Sequence, residues 1–403
     1  MSENTNTAIS EEKLDELSAE YAELMDAFMN ARRQCSVDVK EATERGEIVI
    51  GSFCQFAPME MILAAGCHNV MLCGFNYDPA IPVAEAHLPA NLCPLIKSSY
   101  GNIYGDYCPF AHFADMIVGE TTCDGKKKMY EMLGEFRKTH VIHLPNVPDR
   151  ERSLVAWKSE LKRFQDRLEY EYGVEITPEK LNDKIRVMNN ERKQMASVYE
   201  LGRLDPPAMT GVQMRNIMTG VYFMLDKDKR ARELDRLVEL SGILWENGRG
   251  PWKRSDHRPR ILVSGAGIDG VVDKTVGAIE RAGGSVVCFE GCCGIGNMRR
   301  LTDEDTDDPL QALAEKLLDV PCAVMSPNDN RFKQLRDTID EWRIDGVISV
   351  TVHACDTFEI ESKKLNDICD SEHVPFLHLI TDYAPGDEAQ LDTRIQAFIE
   401  TLG

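Results

Sequence analysis

Apolar and polar positions along this chain repeat with two different periods. Between residues 8 and 45, Leu14, Leu17, Tyr21, Leu24, Met25 and Phe28 recur at three- and four-residue spacing. That spacing predicts one amphipathic helical lead-in over residues 1–45. Four short apolar runs follow: EIVIGS (47–52), NVMLCG (69–74), DMIVGE (115–120) and THVIHL (139–144). Nearly continuous apolar runs of this length read as strands buried on both faces. Helical stretches lie between them, notably Pro58 to Ala65 and Lys126 to Arg137.

Residues 150 to 250 change character and become rich in Glu, Lys, Arg, Leu and Met at helical spacing. Thr177 and Pro178 supply the cap and first-turn residues of a helix. Pro206 and Pro207 interrupt the run, and RGPWKRSDHRPR (249–260) reads as a linker. Strand-like and helix-like segments then alternate. RILVSG (260–265), SVVCFE (285–290), DGVISVTV (345–352) and VPFLHLITD (374–382) are the strands. Residues 271–283, 358–372 and 391–403 are the helices. This alternation predicts an α/β fold of two Rossmann- or flavodoxin-like lobes with parallel sheets, residues 46–150 and 256–403. An N-terminal helix precedes them, and a helical segment, 151–255, lies between them. Each lobe also runs a strand into a similar tripeptide, Thr122-Cys123-Asp124 or Ala354-Cys355-Asp356, and then a helix.

A chain of 403 residues is too long for one ordinary core, which agrees with two lobes. No apolar run reaches the ~18 residues that a bilayer span requires. The N-terminus is acidic and polar and lacks the pattern of a secretory signal, so the chain is expected in the cytoplasm. The net charge of −21 opposes binding to phosphate backbones, and the basic run Lys126 to Lys128 is too short to reverse that. No nucleic acid and no membrane partner is expected.

Thirteen cysteines change the picture more. A reducing compartment disfavours structural disulfides, so the surplus points to metal or redox work. A single cysteine is equally well explained as a small buried hydrophobe. The grouping is not. Cys93, Cys108 and Cys123 fall 15 residues apart, each beside loop-forming residues. Cys292 and Cys293 follow a strand in a Gly-Cys-Cys-Gly loop, Cys322 follows Pro321, and Cys355 follows a strand. Ligands of open α/β sheets bind beyond the carboxyl ends of strands. A helix start lowers a thiol's pKa and favours an anionic cluster. No CxxC pair occurs, which argues against a zinc ribbon or a thioredoxin-like dithiol. Cys67, Cys73, Cys288 and Cys369 sit in apolar surroundings and read as core. Cys54, in SFCQFAP, fits either description.

Gly265, Gly267 and Gly270 form a GxGxxG after a strand, with Glu290 20 residues further on. That is the local context of a dinucleotide fingerprint. It is also that of a tight strand-to-helix turn, and Glu290 runs directly into the Gly-Cys-Cys-Gly loop. Glu120 and His353 flank the cysteine loops and are candidate proton donors or relays. Asp124 and Asp356 read as helix caps. No Walker A motif is present, so the chain itself is not expected to hydrolyse ATP.

Longer stretches carry a resemblance. KSSYG (97–101), VGETTCDGKKKMYEML (118–133), ALAEKLLDVPCAVM (312–325), DGVISVTVHACDTFEIES (345–362) and TDYAPGDEAQLDTRIQAFIE (381–400) resemble the 2-hydroxyacyl-CoA dehydratase D-component superfamily. That superfamily includes benzoyl-CoA reductase subunits, and the chain is most similar to its double-cubane-cluster-containing anaerobic reductases. The resemblance implies an iron–sulfur oxidoreductase holding an 8Fe–9S double-cubane cluster. Its six ligands would be Cys93, Cys108, Cys123, Cys292, Cys322 and Cys355, with Cys293 as the alternative to Cys292. It also implies a homodimer supplied with electrons by a separate iron–sulfur ATPase activator, and a small substrate. The dehydratase branch implies instead a 4Fe–4S cluster and radical dehydration of an acyl-CoA. A non-enzymatic electron carrier and an NAD-dependent oxidoreductase are the remaining readings.

Overall fold

Two four-stranded sheets, all parallel, organise the chain in a computed structural model that describes residues 9–72, 74–146, 150–291 and 294–403. The first sheet contains β1 (Val49–Ser52), β2 (His68–Met71), β3 (Met116–Glu120) and β4 (Thr139–Ile142), in the order β2-β1-β3-β4. The second contains β5 (Arg260–Ala266), β6 (Ser285–Glu290), β7 (Gly346–Val352) and β8 (Phe376–Thr381), in the order β6-β5-β7-β8. Each sheet therefore has its second strand, then its first, third and fourth. The matching tripeptides at Cys123 and Cys355 both follow the third strand of their sheet. All eight apolar runs form strands where the pattern places them. Strands β1, β3, β6 and β7 are buried along their whole length, which is why they carry no polar alternation.

Helix boundaries follow local chemistry. The N-terminal helix Glu11–Glu44 is capped by Ser10, whose side chain accepts from the Lys13 N–H. Thr177 caps the helix Pro178–Glu200 in the same way, through the Lys180 N–H. The stretch expected as one helix over 271–283 is broken instead into a π turn, Asp273–Gly277, and a short helix, Ala278–Arg281.

The helical segment is not a free insert. The short 3₁₀ turn Leu201–Arg203 and the helix Gly211–Val221 lie against β6 and cover that edge of its sheet. The approach is so close that a Cβ on Gly202 would sit 2.0 Å from the Val287 carbonyl oxygen. One core cluster runs continuously through Phe28, Tyr130, Ile217, Phe289 and Val350, and so joins the N-terminal helix, the helical segment and both lobes. A second cluster packs Trp157, Phe164 and Leu168 between Ile50 of the first lobe and Leu313 and Leu317 of the second. Shared cores of this kind hold the strand ends of the two sheets in a fixed relation.

Candidate functional site at the strand ends

The strand order reverses between β1 and β3 and again between β5 and β7. Crevices form at such points, beyond the carboxyl ends of the strands. Here the two crevices face one another and enclose a cavity of about 490 Å³. Cys54, Cys93, Cys123, Cys322 and Cys355 all line it. Cys54 continues β1, Cys123 continues β3 and Cys355 follows β7. Cys93 opens the helix Pro94–Tyr104, and Cys322 lies beyond the helix Pro309–Leu317.

The thiols of Cys93 and Cys355 come from different lobes and lie close enough to shift each other's protonation. That proximity draws the Cys93 thiol below its ordinary value, helped by the backbone N–H groups of Ile96 and Leu95. The same proximity, with burial, drives Cys355 far upward. Cys93, Cys123 and Cys355 each occupy the N-cap of a helix where Ser or Asp is usual, with no side-chain cap bond. At two of them first-turn N–H groups face the sulfur instead, those of Ile96 and Leu95 at Cys93 and that of Phe358 at Cys355. Val324 and Phe56 supply N–H groups to Cys322 and Cys54 in the same manner. Burial pushes Cys322 up to about 11, and the backbone N–H and nearby Arg331 and Lys126 oppose it. Lys126 acts on Cys54, Cys93 and Cys322 together, always favouring the thiolate. Its ammonium stands 5.8 Å from the centre of the Phe53 ring.

The rest of the wall is supplied by the helix Gly211–Val221 and its C-cap. Arg215, Met218, Thr219 and Tyr222 form one stripe at helical spacing and all face the cavity. Arg215 holds Asp269 by two bonds of 2.7 and 2.6 Å, and Thr219 donates to the same carboxylate at 2.7 Å. The sequence left the role of this segment open between substrate channel and dimer interface. Its clue was the stripe itself, which is half polar on a helix with no solvent face to explain it.

Comparison with known proteins agrees with this architecture. The family model for the 2-hydroxyglutaryl-CoA dehydratase D-component matches residues 54–402. This chain belongs to that family. It is 42% identical over 380 residues to the "Putative dehydratase subunit YjiM" of Escherichia coli K12, covering 94% of this chain and 98% of the relative. It is 24% identical to the (R)-phenyllactyl-CoA dehydratase beta subunit of Clostridium sporogenes, over 90% of this chain and 94% of that one. A benzoyl-CoA reductase subunit of Thauera aromatica matches at 21% identity over 80% of this chain and 82% of its own length. The family is one of dehydratase and reductase components, and this D-component chain is an enzyme component.

Not every expected residue reaches the cavity of this family member. Cys108 caps the helix Pro109–Phe113 but does not line the cavity. It sits in the main core, where burial raises its thiol against the N–H groups of Ala111 and Phe110 and the charges of Arg32 and Arg137. Cys54, left open by the sequence, takes a place in the lining. The Cys292 and Cys293 expectation lies outside the described residues, as does that for Cys73. Cys67, Cys288 and Cys369 are buried, as their apolar settings predict.

Glu120, at the end of β3, is fully buried, and neither carboxyl oxygen has a hydrogen-bond partner among the described residues. Burial pushes it up to about 8, against the pull of Lys126. His353 departs from expectation. It is exposed, it is not part of the lining, and its backbone N–H bonds the Thr381 carbonyl. The chain turns at Ala354, whose φ is +56°, and this directs Cys355 inward and leaves His353 outside.

The glycine motif is explained by packing. Gly265 has φ of +144°, and a Cβ there would lie 1.8 Å from the Val350 carbonyl oxygen. A Cβ on Gly270 would meet the Phe75 carbonyl oxygen of the other lobe at 2.4 Å. Glu290, the acid that would engage a ribose, is already held by Arg331 at 2.7 and 2.8 Å and by the Ser264 hydroxyl at 2.6 Å. Arg331 also pairs with Glu361. The motif builds a tight inter-lobe turn, and its Asp269 serves the cavity wall.

Proposed function

We propose that this chain is an iron–sulfur reductase that receives low-potential electrons from a separate ATP-hydrolysing activator and reduces a small substrate at an 8Fe–9S double-cubane cluster. The observation that carries the reading is the convergence of thiols from both lobes on one cavity, Cys54, Cys93 and Cys123 from the first and Cys322 and Cys355 from the second. The donor set fits such a group. Sulfur ligands, backbone N–H groups aimed at sulfur and a shared lysine all favour an anionic iron–sulfur cluster. Among the described residues, no three His, Cys, Asp or Glu side chains are grouped to hold a single metal ion.

The ligands we assign are Cys54, Cys93, Cys123, Cys322 and Cys355, with Cys292 or Cys293 completing the set. When bound, the cluster supplies single electrons at low potential. The chain's own residues do the rest. The apolar part of the wall, including Phe53, Phe75, Leu92 and Phe289, gives the cavity a largely apolar lining. Lys126 balances negative charge on the thiolates. Glu120, kept protonated at neutral pH by burial, holds a proton beneath the site. The reading carries with it a homodimer.

A small substrate is favoured over an acyl-CoA by the charges of the wall. Its described cations are Lys126 and Arg215, against Asp124, Asp269, Glu290 and Asp356. Arg215 is committed to Asp269. Nothing in that balance selects the phosphates of coenzyme A. The test is to supply the protein with a related activator, ATP and reductant. Reduction of acetylene to ethylene without dehydration of 2-hydroxyacyl-CoA esters is expected. Ester dehydration without acetylene reduction would make the chain a dehydratase subunit with a 4Fe–4S cluster.

A further inference from the structure

Two helices begin at the cavity and end at one surface patch. Cys93 caps the helix Pro94–Tyr104 and Cys123 caps the helix Asp124–Leu133, and both cysteines line the cavity. The helices run side by side. Near their starts a Cβ on Gly125 would sit 2.4 Å from the Ile96 side chain. Past their far ends the rings of Tyr104 and Phe136 meet with centres 5.6 Å apart. Tyr100, four residues back on the same helix, stacks on Tyr104 at 5.5 Å, and His87 packs on Tyr104 at 4.4 Å. The Tyr107 ring lies over Gly105, where a Cβ would meet it at 2.3 Å.

Tyr100 is buried beneath this group, but Tyr104, Tyr107 and Phe136 stay 45%, 48% and 43% exposed. Among the described residues, the other exposed tyrosines, Tyr77 and Tyr170, have no ring beside them. An aromatic side chain offers ~150–250 Å², so just under half of three such rings leaves roughly 300 Å² of ring surface in one place. A patch of that size on one chain is often functional. A stable pair of proteins covers about 800 Å² on each partner, so the rings make the centre of an interface and their polar surroundings its rim.

Charge and position decide the occupant. A net charge of −21 sets the chain against its own copy over most of its surface. Around the rings the charges are largely balanced. Glu131 holds Lys128 at 2.7 Å, Glu85 holds Lys97 at 2.7 Å, and Asp106 bonds the His112 ring at 2.9 Å. Glu135 adds one acid at the edge. Tyrosine hydroxyls both donate and accept, so a patch built from them is able to face itself across a two-fold axis. The 11-residue helix Pro94–Tyr104 is about 16 Å long, so a partner seated on the rings stands that far from Cys93. An electron donor must come closer to the thiols than that, whereas a second copy need not. We propose that the patch of Tyr104, Tyr107 and Phe136 is the surface through which two copies of this chain pair. The proposal deepens the homodimer of the reading above, and it leaves the cavity uncovered.

Sedimentation equilibrium on the full chain, purified without oxygen, is the test. The wild type is expected at twice the mass of one chain. Phe136→Lys and Tyr107→Lys each place a charge at the centre of the contact and should raise the dimer dissociation constant at least ~30-fold, the effect of losing one strong anchor. Circular dichroism and iron content should match the wild type in both. Ile360→Lys, at a position 76% exposed on the other lobe, should leave the dimer intact. If the lysine variants do not fold, a benzoylphenylalanine in place of Tyr107 should cross-link two chains on irradiation. A monomeric wild type, folded lysine variants that pair as tightly as the wild type, or a dimer that forms no cross-link overturns the inference. The reductase reading fails separately. A dimer broken by Phe136→Lys in a chain that binds no iron supports the surface and contradicts that reading, while an iron-loaded monomer overturns the surface alone.

Discussion

Replacing Glu120 by Gln keeps the shape of the side chain and removes its ability to ionise. The carboxyl is fully buried without a partner among the described residues, and burial lifts it from 4.5 to about 8. Its folded value lies above its unfolded value, so the folded chain binds the extra proton between those two limits. Stability from this group is therefore complete below pH 4.5, falls as pH rises towards 8, and is level beyond. Each pH unit is worth about 1.4 kcal/mol, so the loss between pH 5 and pH 8 is at most about 4 kcal/mol. Glu120→Gln escapes that loss. The variant should match the wild type near pH 4.5 and exceed it progressively up to pH 8. Paired thermal melts at pH 5, 6, 7 and 8, on samples of equal iron content, give the comparison. Larger domains shift their melting temperature by roughly 1–3 °C per kcal/mol, so the gap should widen by several degrees across the series. A gap that is constant with pH, or that favours the wild type at pH 8, would refute the argument that this carboxyl is neutral in the folded chain.

Two further sets of substitutions test the thiol assignment and the charge network behind the cavity. Cys54→Ser should strip iron from the anaerobically purified protein, as should Cys123→Ser, while Cys108→Ser and Cys369→Ser should retain it; equal iron in Cys54→Ser and Cys108→Ser would sink the assignment. Arg331→Met leaves Glu290 and Glu361 buried without their cation, which should cost about 3–5 kcal/mol in urea unfolding; a change below ~1 kcal/mol would show that the network carries no weight.

The strands were legible because burial on both faces writes itself as unbroken apolar runs, and parallel order followed from the alternation with helices. Cys93, Cys123 and Cys355 were legible because each precedes a helix start. That signature does not give direction, which is why Cys108 carried it too. Its helix packs against the N-terminal helix, and Phe110 meets Phe223 at 5.0 Å, so Cys108 is turned into the core. Cys54 carried no helix signature of its own, since it enters the cavity as the continuation of β1. His353 lies two residues before Cys355, but a left-handed turn at Ala354 separates them. The helices Pro309–Leu317 and Asp329–Glu341 went unassigned, although Asp308 caps the first through the Gln311 N–H and Pro309 opens it. The cavity wall from Arg215 to Tyr222 shows in the sequence only as a half-polar stripe, and long-range packing is what buries it.

The central claim is that one cavity, lined by thiols from both lobes, holds one large iron–sulfur group. Iron and acid-labile sulfide per chain, measured on protein purified without oxygen, test it most directly. The account predicts about eight irons and nine sulfides. About four irons would contradict the double cubane and favour the dehydratase reading, and no iron after anaerobic reconstitution would contradict both.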